Sequence, residues 1–386
     1  MILTTGSTGL LGGHVIFELL KKHERVAALK RPSAKTDTLR EIFSYYTRDP
    51  DQLLARIDWR TGDMLDKESL VQAMEGISIV INCAAIVSFN PQDKVRMITN
   101  NVEGTRNLAD AIRISEDSKT VRQEGEKTVR TDEGKILLIH VSSTSALGDG
   151  PSDDPKFLID EDTPRDSNRC HTSYSVSKFE SEKVLRRTGL DVVILNPGII
   201  LGPGQWEKGS SQLFVKAWNG IKYYTYGGTA YVDVRDVAGI INEISDQLSV
   251  TGYQETQSSH LPILPSAVLP SSSLKVLKSS LHGERFCLVG ANLRYREFFD
   301  MVTDEYGKPN PHIYAGKFLS GVAWRADTIR ARITGGNPLL TRETAGAAQR
   351  ISFYSANKIR KLLDYQFRPV EETIEWVAGC YRKTMG

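Results

Sequence analysis

Short apolar runs alternate with longer helical patterns along the first two hundred residues. The runs lie at residues 1–5, 25–29, 77–83, 135–141 and 191–196. After the first run, apolar residues recur at the spacing of one helix face, at Val15, Ile16, Leu19 and Leu20. Nearly continuous apolar strands separated by helices are typical of a parallel sheet covered on both faces. The pattern therefore predicts an α/β fold with a parallel sheet that is covered on both faces.

Two stretches interrupt this alternation. Residues 115–134 contain almost no apolar side chains, and residues 249–282 are rich in Ser and Pro. Prolines spread through a segment prevent one regular element from spanning it. We interpret both stretches as surface insertions rather than as functional modules.

The C-terminal third regains a helical pattern. Apolar residues fall largely on one helix face, at Phe318, Leu319, Val322, Ala323, Ile329 and Ile333. Arg325, Arg330 and Arg332 lie opposite. A basic amphipathic helix can lie on a membrane surface, but we favour the interpretation that this helix packs on the second domain.

Composition and charge restrict the class of protein. The chain has 386 residues, enough for two or three structural units. Its 49 Lys and Arg residues against 47 Asp and Glu residues give a net charge of +2, so we expect no nucleic acid and no membrane as partner. There is no apolar run of the roughly 18 residues that a membrane span needs, and residues 1–6 lack the features of a signal peptide. We therefore expect a cytoplasmic protein.

Metal chemistry has no support in the sequence. The four cysteines, at 83, 170, 287 and 380, have no paired spacing for zinc or for a disulfide framework. The seven histidines include no HxxxH or HExxH pair. A serine hydrolase also lacks support, because no Gly-x-Ser-x-Gly motif is present.

A glycine-rich turn follows the first apolar run and opens the first helical pattern. Glycine at positions 6 and 9 removes Cβ atoms that would keep backbone N–H groups from a pyrophosphate, and glycine at 12 permits close helix–strand packing. No Lys-Ser/Thr pair follows the last glycine, so the turn is not a nucleotide-triphosphate P-loop. The turn predicts a dinucleotide site formed by Gly6, Ser7, Thr8, Gly9, Leu10, Leu11 and Gly12.

The end of the second apolar run bears on which dinucleotide binds. A site for NAD presents an acidic side chain to the ribose 2′-hydroxyl about twenty residues past the turn. Here the run ends in Leu-Lys-Arg-Pro and offers no carboxylate, whereas Arg31 could pair bidentately with a 2′-phosphate. We therefore predict NADP(H) as the preferred cofactor. NAD(H) stays as the alternative, because Lys30 and Arg31 could also be a solvated strand end.

A tyrosine and a lysine four residues apart form a second constellation. Tyr174 and Lys178 would share a helix face, and an adjacent ammonium lowers a tyrosine pKa from about 10 towards neutrality. Such pairs usually lie on surfaces. This one follows Ser142 and Ser143, at the end of the 135–141 run, by about thirty residues. Open parallel sheets bind ligands at that edge, so we interpret the pair as catalytic.

These motifs occur in the order found in the extended short-chain dehydrogenase/reductase family, which the sequence resembles along nearly its whole length outside the two insertions. The resemblance is carried by Thr5–Gly12, Gly62–Met64, Asn82–Ala85, Asn101–Leu108, Ser142-Ser143, Tyr174-x-x-x-Lys178 and Asn196–Gly204. Likeness to the dihydroflavonol-reductase-like branch is carried by Tyr231–Ala238, Gly283–Phe286 and Leu339–Thr344. The resemblance implies a Rossmann-type α/β fold, that is, a doubly wound parallel sheet with a smaller C-terminal α/β substrate domain. It also implies an NAD(P)-dependent oxidoreductase of the epimerase/dehydratase type.

The resemblance also implies roles for individual residues. Tyr174 is expected to be the general acid/base, Lys178 to hold the nicotinamide ribose and tune Tyr174, and Ser143 to hydrogen-bond the substrate oxygen. Ser143 is preferred to Ser142 because it lies five residues before Gly148, as in the family's Ser/Thr-x-x-x-x-Gly pattern.

Further cofactor contacts follow from the same likeness. Asp63 and Met64 are expected to border the adenine. The diphosphate and ribose edge is expected to contact Cys83, Ala84 and Ala85, and the nicotinamide is expected to contact Pro197, Gly198, Ile199 and Ile200. Asn101 is expected to have a structural role.

Two features narrow the chemistry. Sugar 4,6-dehydratases of the family carry Asp-Glu directly after the catalytic hydroxyl residue, whereas Thr144 and Ser145 follow Ser143 here, which removes the acid and base for water elimination. The expected substrate loop is apolar and aromatic and suits a hydrophobic ketone or aldehyde better than a sugar nucleotide; it contains Val87, Ser88 and Phe89.

Together these patterns predict two domains and one reaction. We expect residues 1–196 to bind the dinucleotide, with the chain returning there near 229–240 and 283–289, and residues 197–386 to form most of a substrate domain. The expected reaction is hydride transfer from NADPH to a ketone or aldehyde. The alternatives are a nucleotide-sugar epimerase or steroid-type dehydrogenase using NAD(P)⁺, and a non-catalytic dinucleotide sensor. We expect a monomer or a homodimer.

Overall fold

The computed structural model describes residues 1–88, 90–122, 135–166, 171–249, 281, 283–334 and 341–385. Its strands are β1 (Ile2–Thr5), β2 (Val26–Lys30), β3 (Ile57–Thr61), β4 (Ile79–Asn82), β5 (Leu137–Val141), β6 (Leu158–Ile159), β7 (Val192–Pro197), β8 (Ile199–Leu201), β9 (Tyr223–Tyr224), β10 (Gly228–Asp233), β11 (Arg285–Leu288), β12 (Ala291–Arg294), β13 (Ile313–Tyr314) and β14 (Phe353–Tyr354). Its helices are α1 (Leu10–Leu20), α2 (Asp37–Ser44), α3 (Pro50–Leu54), α4 (Lys67–Ala73), α5 (Lys94–Arg122), α6 (Ser173–Leu185), α7 (Gln212–Trp218), α8 (Val234–Ser249), α9 (Tyr295–Glu305), α10 (Lys317–Thr334), α11 (Arg342–Ala347), α12 (Asn357–Leu363) and α13 (Val370–Met385).

Seven strands form one sheet in the order β11–β7–β5–β4–β1–β2–β3. Every pairing in it is parallel. The chain moves outward from β1 to β3 and then crosses to β4 on the other side, so the strand order reverses between β1 and β4. Ligands of open α/β sheets bind at such a switch point, outside the carboxyl ends of the strands. The predicted Rossmann-type doubly wound sheet is confirmed.

Both faces of this sheet are buried because side chains alternate along each strand. Ile79 and Ile81 of β4 belong to the apolar cluster that includes α1 and α8. Val80, between them, belongs to the cluster on the opposite face, with α4 and α5. Nearly continuous apolar runs in the sequence are the consequence of this two-sided burial.

A third apolar cluster lies outside the main sheet. Strand β10 pairs in parallel with β8 and antiparallel with β12. Helices α7, α9 and α13 contribute to the cluster, and Tyr231 of β10 stacks on Phe298 of α9 with ring centroids 4.6 Å apart.

The segments expected to return to the main sheet behave differently. In residues 229–240, the strand pairs with β8 and β12, and only helix α8 packs back on α1 beside the main sheet. The reason is local: β8 begins directly after Gly198, leaves the main sheet there and gives β10 a parallel partner. Residues 283–289 do return, since β11 pairs with β7 as an edge of the main sheet.

The insertions and the tail helix complete the fold. Residues 115–122 extend α5, whereas 123–134 and nearly all of 249–282 lie outside the described residues. In α10, Phe318 is 85% exposed and Ile329 is also exposed, whereas Ser320 and Ala331 are buried. Helix α10 packs against α11, and it does so through its small-residue face, where Ser320 Oγ accepts from Gln349 Nε2 at 2.9 Å, rather than through its apolar face. No helix in the described ranges is long and apolar enough to cross a bilayer.

Candidate active site

The glycine turn between β1 and α1 is shaped by close backbone approaches. Gly6 has φ +63°, and a Cβ on it would fall 2.7 Å from the Ala84 nitrogen in the loop after β4. A Cβ on Gly12 would fall 2.2 Å from the Gly6 carbonyl oxygen. Neither position accepts a side chain without backbone movement. The turn is thus a cradle of bare backbone at the N-terminus of α1, which fits a dinucleotide pyrophosphate.

Side chains hold this turn in place. Ser7 is buried, and its hydroxyl donates to the Leu29 carbonyl of β2 at 2.6 Å. Gln205 Nε2 donates to the Thr8 carbonyl at 2.8 Å from 197 residues away. Sequence reasoning missed Gln205 because so distant a contact leaves no local signal. Of the other three predicted residues of the motif, Gly9 is the N-cap of α1, and Leu10 and Leu11 lie in its first turn.

Polar side chains join the carboxyl ends of β1, β4 and β5. Asn82 Oδ1 accepts from Thr5 Oγ1 at 2.6 Å and from the Ala84 N–H at 3.2 Å. The Asn82 amide nitrogen lies 3.0 Å from His140 Nδ1. Burial lowers the pKa of His140 well below its usual value, so the ring is neutral near pH 7. This buried network fixes the loop that carries the predicted residues Cys83, Ala84 and Ala85.

The predicted adenine border lies beyond β3. Asp63 Oδ1 accepts from the Leu65 N–H at 2.9 Å, and the Met64 carbonyl accepts from Asn107 Nδ2 of α5 at 3.0 Å. Arg31 is exposed one residue beyond β2. Because β1 and β2 are parallel neighbours, Arg31 and the glycine turn both lie at the carboxyl ends of the strands.

The predicted serine, tyrosine and lysine come together at the carboxyl edge of β5. Thr172 caps α6 with its side chain and thereby places Tyr174 in the first turn of the helix. The Tyr174 hydroxyl hydrogen-bonds with the Ser143 side chain. One helical turn later, Lys178 is buried and its Nζ donates to the Val141 carbonyl at 2.9 Å.

The two neighbouring serines have different partners. Ser143 Oγ meets Tyr174 and accepts from Ser145 Oγ at 2.9 Å. Ser142 Oγ donates instead to Glu182 at 2.5 Å. Of the two serines, Ser143 is therefore the one that faces Tyr174.

Burial governs protonation in this group. It raises the pKa of Tyr174 to about 12, although the Ser143 hydrogen bond opposes the shift, and it lowers the pKa of Lys178 to about 8. The expectation that the Tyr174 pKa falls is wrong for this structure, because desolvation dominates and the Lys178 ammonium is directed at a backbone carbonyl. Burial also raises the pKa of Cys83 to about 12, so this thiol is no nucleophile near pH 7.

A family model described as the NAD dependent epimerase/dehydratase family matches residues 2–248. The chain belongs to this family. It is an NAD(P)-dependent enzyme of the extended short-chain dehydrogenase/reductase type, as the motifs predicted.

Relatives extend the likeness beyond the family model. "Sterol demethylase protein B" of Methylococcus capsulatus is 22% identical over 86% of this chain and 82% of its own length. A dihydroflavonol 4-reductase-like protein of Synechocystis sp. is 27% identical over 61% of this chain and 60% of its own length, which confirms the predicted likeness to that branch. The crystal structure of gox2253 has a TM-score of 0.67 at 24% identity, with 100% of this chain and 98% of that chain covered. This last likeness concerns the fold alone.

In this epimerase/dehydratase-family enzyme, the residues predicted to contact the nicotinamide lie where β7 passes into β8. They are Pro197, Gly198, Ile199 and Ile200. The Gly198 N–H donates to the Leu288 carbonyl at 3.0 Å. A Cβ on Gly198 would fall 2.6 Å from the Ala230 carbonyl oxygen. The backbone at Gly198 therefore packs directly against the backbone of β10, with no room for a side chain.

The predicted substrate loop of the enzyme follows β4. Val87 is 54% exposed, and Ser88 Oγ hydrogen-bonds within its own loop; Phe89 lies outside the described residues. Asn101 of α5 accepts from the Ile86 N–H at 2.8 Å and donates to the Ile86 carbonyl at 3.0 Å. Asn101 therefore anchors this loop. In the described ranges, no group of three or more His, Cys, Asp or Glu side chains could hold a metal ion.

Sequence reasoning did not place Glu343 in the site. Its carboxylate accepts from both the N–H and the hydroxyl of Ser173 at 3.0 Å, directly beside Tyr174. A carboxylate at a helix N-terminus satisfies backbone donors and complements the helix dipole. The only sequence signal was the family likeness around residues 339–344, which indicates no such contact. The C-terminal unit thus holds the start of α6.

Replacing this cap should destabilise the enzyme measurably. Glu343→Gln keeps the size of the side chain but removes its charge, and we expect the free energy of unfolding to fall by about 1 kcal/mol. Urea denaturation measures the change. Glu375→Gln, which alters an exposed carboxylate within α13, should leave the midpoint unchanged. Equal midpoints for both variants would contradict the capping role.

Proposed function

We propose that this enzyme uses NADP(H) to reduce the carbonyl group of a small, rather apolar ketone or aldehyde. The observation that carries the proposal is the hydrogen bond between Tyr174 and Ser143, with Lys178 one turn further along α6. When bound at the glycine turn, the dinucleotide supplies the hydride. The side chains then have to bind the carbonyl oxygen and deliver a proton to it.

Tyr174 is suited to deliver that proton. Burial raises its pKa to about 12, so the phenol is protonated near pH 7 and can donate to an oxygen that gains negative charge. Oxidation of an alcohol would instead need the phenolate at the start, which burial disfavours. A protonated Tyr174 is the form that carbonyl reduction needs at its start.

Ser143 and Lys178 support this transfer. Ser143 Oγ accepts from Ser145 Oγ at 2.9 Å, so its own proton is available to Tyr174 or to a substrate oxygen. The buried Lys178 ammonium lies on the same helix face as Tyr174. A positive charge there stabilises the negative charge that develops on the Tyr174 oxygen as its proton leaves, and low local polarity strengthens the effect.

The cofactor contacts stay as proposed from the sequence. The glycine turn would hold the pyrophosphate and Arg31 the 2′-phosphate, within a dinucleotide-binding half at 1–196 and a substrate half mainly at 197–386. The other proposed contacts are Asp63, Met64, Cys83, Ala84, Ala85, Pro197, Gly198, Ile199 and Ile200. Support for NADP(H) comes from the exposed position of Arg31 at the cofactor edge, with Lys30 rather than a carboxylate beside it.

Removing Arg31 should test the choice of dinucleotide. Arg31→Ala should weaken NADPH binding about tenfold to a hundredfold, because a charge-assisted bidentate contact is lost, and leave NADH binding unchanged. Calorimetric titration with both nucleotides measures this. The control, Arg25→Ala, removes an exposed arginine directly before β2, at the amino end of that strand. This variant should bind both nucleotides as the wild type does. Tighter binding of NADH by the wild type would overturn the proposal.

The substrate class rests on the apolar loop and on the relatives. Val87 presents an exposed apolar side chain directly after the cofactor loop, and relatives are named for sterol and dihydroflavonol chemistry. Purified enzyme with NADPH should therefore consume the cofactor with apolar ketones or aldehydes and not with nucleotide sugars. Tightly retained NAD, with interconversion of a sugar nucleotide and no net redox change, would favour an epimerase instead.

A further inference from the structure

A carboxylate that the proposed reaction does not use lies buried one helical turn beyond Lys178. Glu182 is 2% exposed. Its Oε1 accepts from Ser142 Oγ at 2.5 Å and from Asn196 Nδ2 at 2.7 Å. Burying an ionised carboxylate costs several kcal/mol unless charges and hydrogen bonds compensate. These contacts indicate that the Glu182 carboxylate has a role beyond packing.

The other carboxylate oxygen faces two arginines. Arg285 Nη1 of β11 lies 3.7 Å from Glu182 Oε2, and Arg186 Nη2 lies 3.8 Å from it. Arg285 is itself held by the Glu161 carbonyl, to which its Nε donates at 3.0 Å. Two hydrogen-bond donors and two nearby cations thus surround the Glu182 carboxylate and offset the cost of its burial.

The side-chain amide of Asn196 connects Glu182 to Ser143. Asn196 Nδ2 donates both to Glu182 Oε1 and, at 2.9 Å, to the Ser143 carbonyl. Ser142 is tied to the same oxygen by its hydroxyl. The Ser142–Ser143 segment is therefore held at both residues, which fixes the direction of the Ser143 side chain just beyond the end of β5.

Glu182 also acts on Lys178 through charge. Lys178 is buried, and its Nζ donates to the neutral Val141 carbonyl. Burial lowers the pKa of Lys178, and the negative charge of Glu182 opposes this effect. Without that carboxylate, a larger fraction of Lys178 would be uncharged near pH 7.

We propose that Glu182 is a positioning residue of the active site, which clamps the Ser142–Ser143 backbone and keeps the Lys178 side chain positively charged. The inference rests on the proposed function only in taking Ser143, Tyr174 and Lys178 as the reacting group. Its test is therefore chosen to need no turnover.

Several other ionisable groups face Glu182 and Lys178. They are Cys83, His140, Glu161, Arg165, Cys287 and Arg285. Burial raises the pKa of both thiols and lowers that of His140, which keeps these three neutral near pH 7. The pKa of Lys178 is about 8, so Lys178 titrates just above that pH.

The pKa of Lys178 can be measured directly in the whole protein. Its ε-carbon resonance, in protein carrying carbon-13 lysine, is assigned by its loss in Lys178→Met and followed by NMR against pH. Glu182→Gln should lower this pKa by about one unit, since an opposite charge is removed. Glu180→Gln, which alters a partly exposed carboxylate on the same helix, should leave it unchanged.

A second variant keeps the proposal falsifiable if Glu182→Gln does not fold. Arg186→Met removes the half-exposed cation that faces Glu182 Oε2, and it should raise the pKa of Lys178, opposite to the change in Glu182→Gln. If turnover is found, the high-pH limb of the kcat profile should move in the same directions. Lys178 titrating identically in wild type and variants would overturn the proposal, whereas a normal shift without any carbonyl reduction would count against the proposed function alone.

Discussion

Tyr174→Phe should reduce NADPH-dependent carbonyl reduction by about a hundredfold to ten-thousandfold, the range that loss of a general acid costs. The phenyl ring keeps the packing of the first turn of α6, but the hydroxyl that meets Ser143 is gone. NADPH affinity should change by less than about threefold, because the proposed phosphate contacts lie elsewhere. Steady-state kinetics and calorimetry measure the two quantities.

A matched control is available in the C-terminal unit. Tyr231 is also buried, and its hydroxyl has no hydrogen-bond partner within the described residues. Tyr231→Phe should therefore retain wild-type turnover. If Tyr174→Phe reduced its substrate at the wild-type rate, the proposed mechanism would be wrong, whatever the effect on stability.

Gly12→Ala should abolish dinucleotide binding. The added Cβ would lie 2.2 Å from the Gly6 carbonyl oxygen. Because that oxygen belongs to the backbone and cannot rotate away, the β1–α1 turn has to open. We expect a loss of about 3 kcal/mol or more in unfolding free energy and no titratable site for NADPH or NADH. Urea denaturation and calorimetry on the same preparation measure both.

Gly379→Ala separates this clash from a general effect of adding a methyl group. A Cβ on Gly379, within α13, would meet no atom within 4 Å, and alanine is the better helix former by roughly 0.5–1 kcal/mol. This variant should gain stability and bind NADPH normally. Binding of NADPH by Gly12→Ala at wild-type affinity would rule out the glycine turn as the pyrophosphate cradle.

The central strands could be predicted because they are buried on both faces. The apolar runs at 77–83 and 135–141 contain β4 and β5, and the run at 191–196 contains all of β7 except Pro197. Strand β3 was not predicted because it lies at an edge of the sheet and alternates apolar with polar residues, as Ile-Asp-Trp-Arg-Thr. For α10 the periodicity identified an apolar face, but period alone does not say which side of a helix is covered.

The site residues likewise fall into two groups, those that a local sequence pattern indicates and those whose contacts join distant segments. Spacing along one helix was enough to pair Tyr174 with Lys178, and the family pattern selected Ser143. The contacts of Gln205 and Glu343 join segments 197 and 170 residues apart, so no local pattern could indicate them. The direction of the Tyr174 pKa also depended on burial, which a sequence does not give.

The position of β11 has a consequence for biosynthesis. Strand β7 is paired on one side with β5 and on the other with β11, which follows it in the chain only after the whole of 198–284. A nascent chain that ends before Arg285 leaves one side of β7 with backbone N–H and C=O groups that lack their sheet partners, on an apolar strand, and such an edge recruits other chains. We therefore expect the enzyme to be prone to aggregation during translation until β11, the last strand of the main sheet, leaves the ribosome.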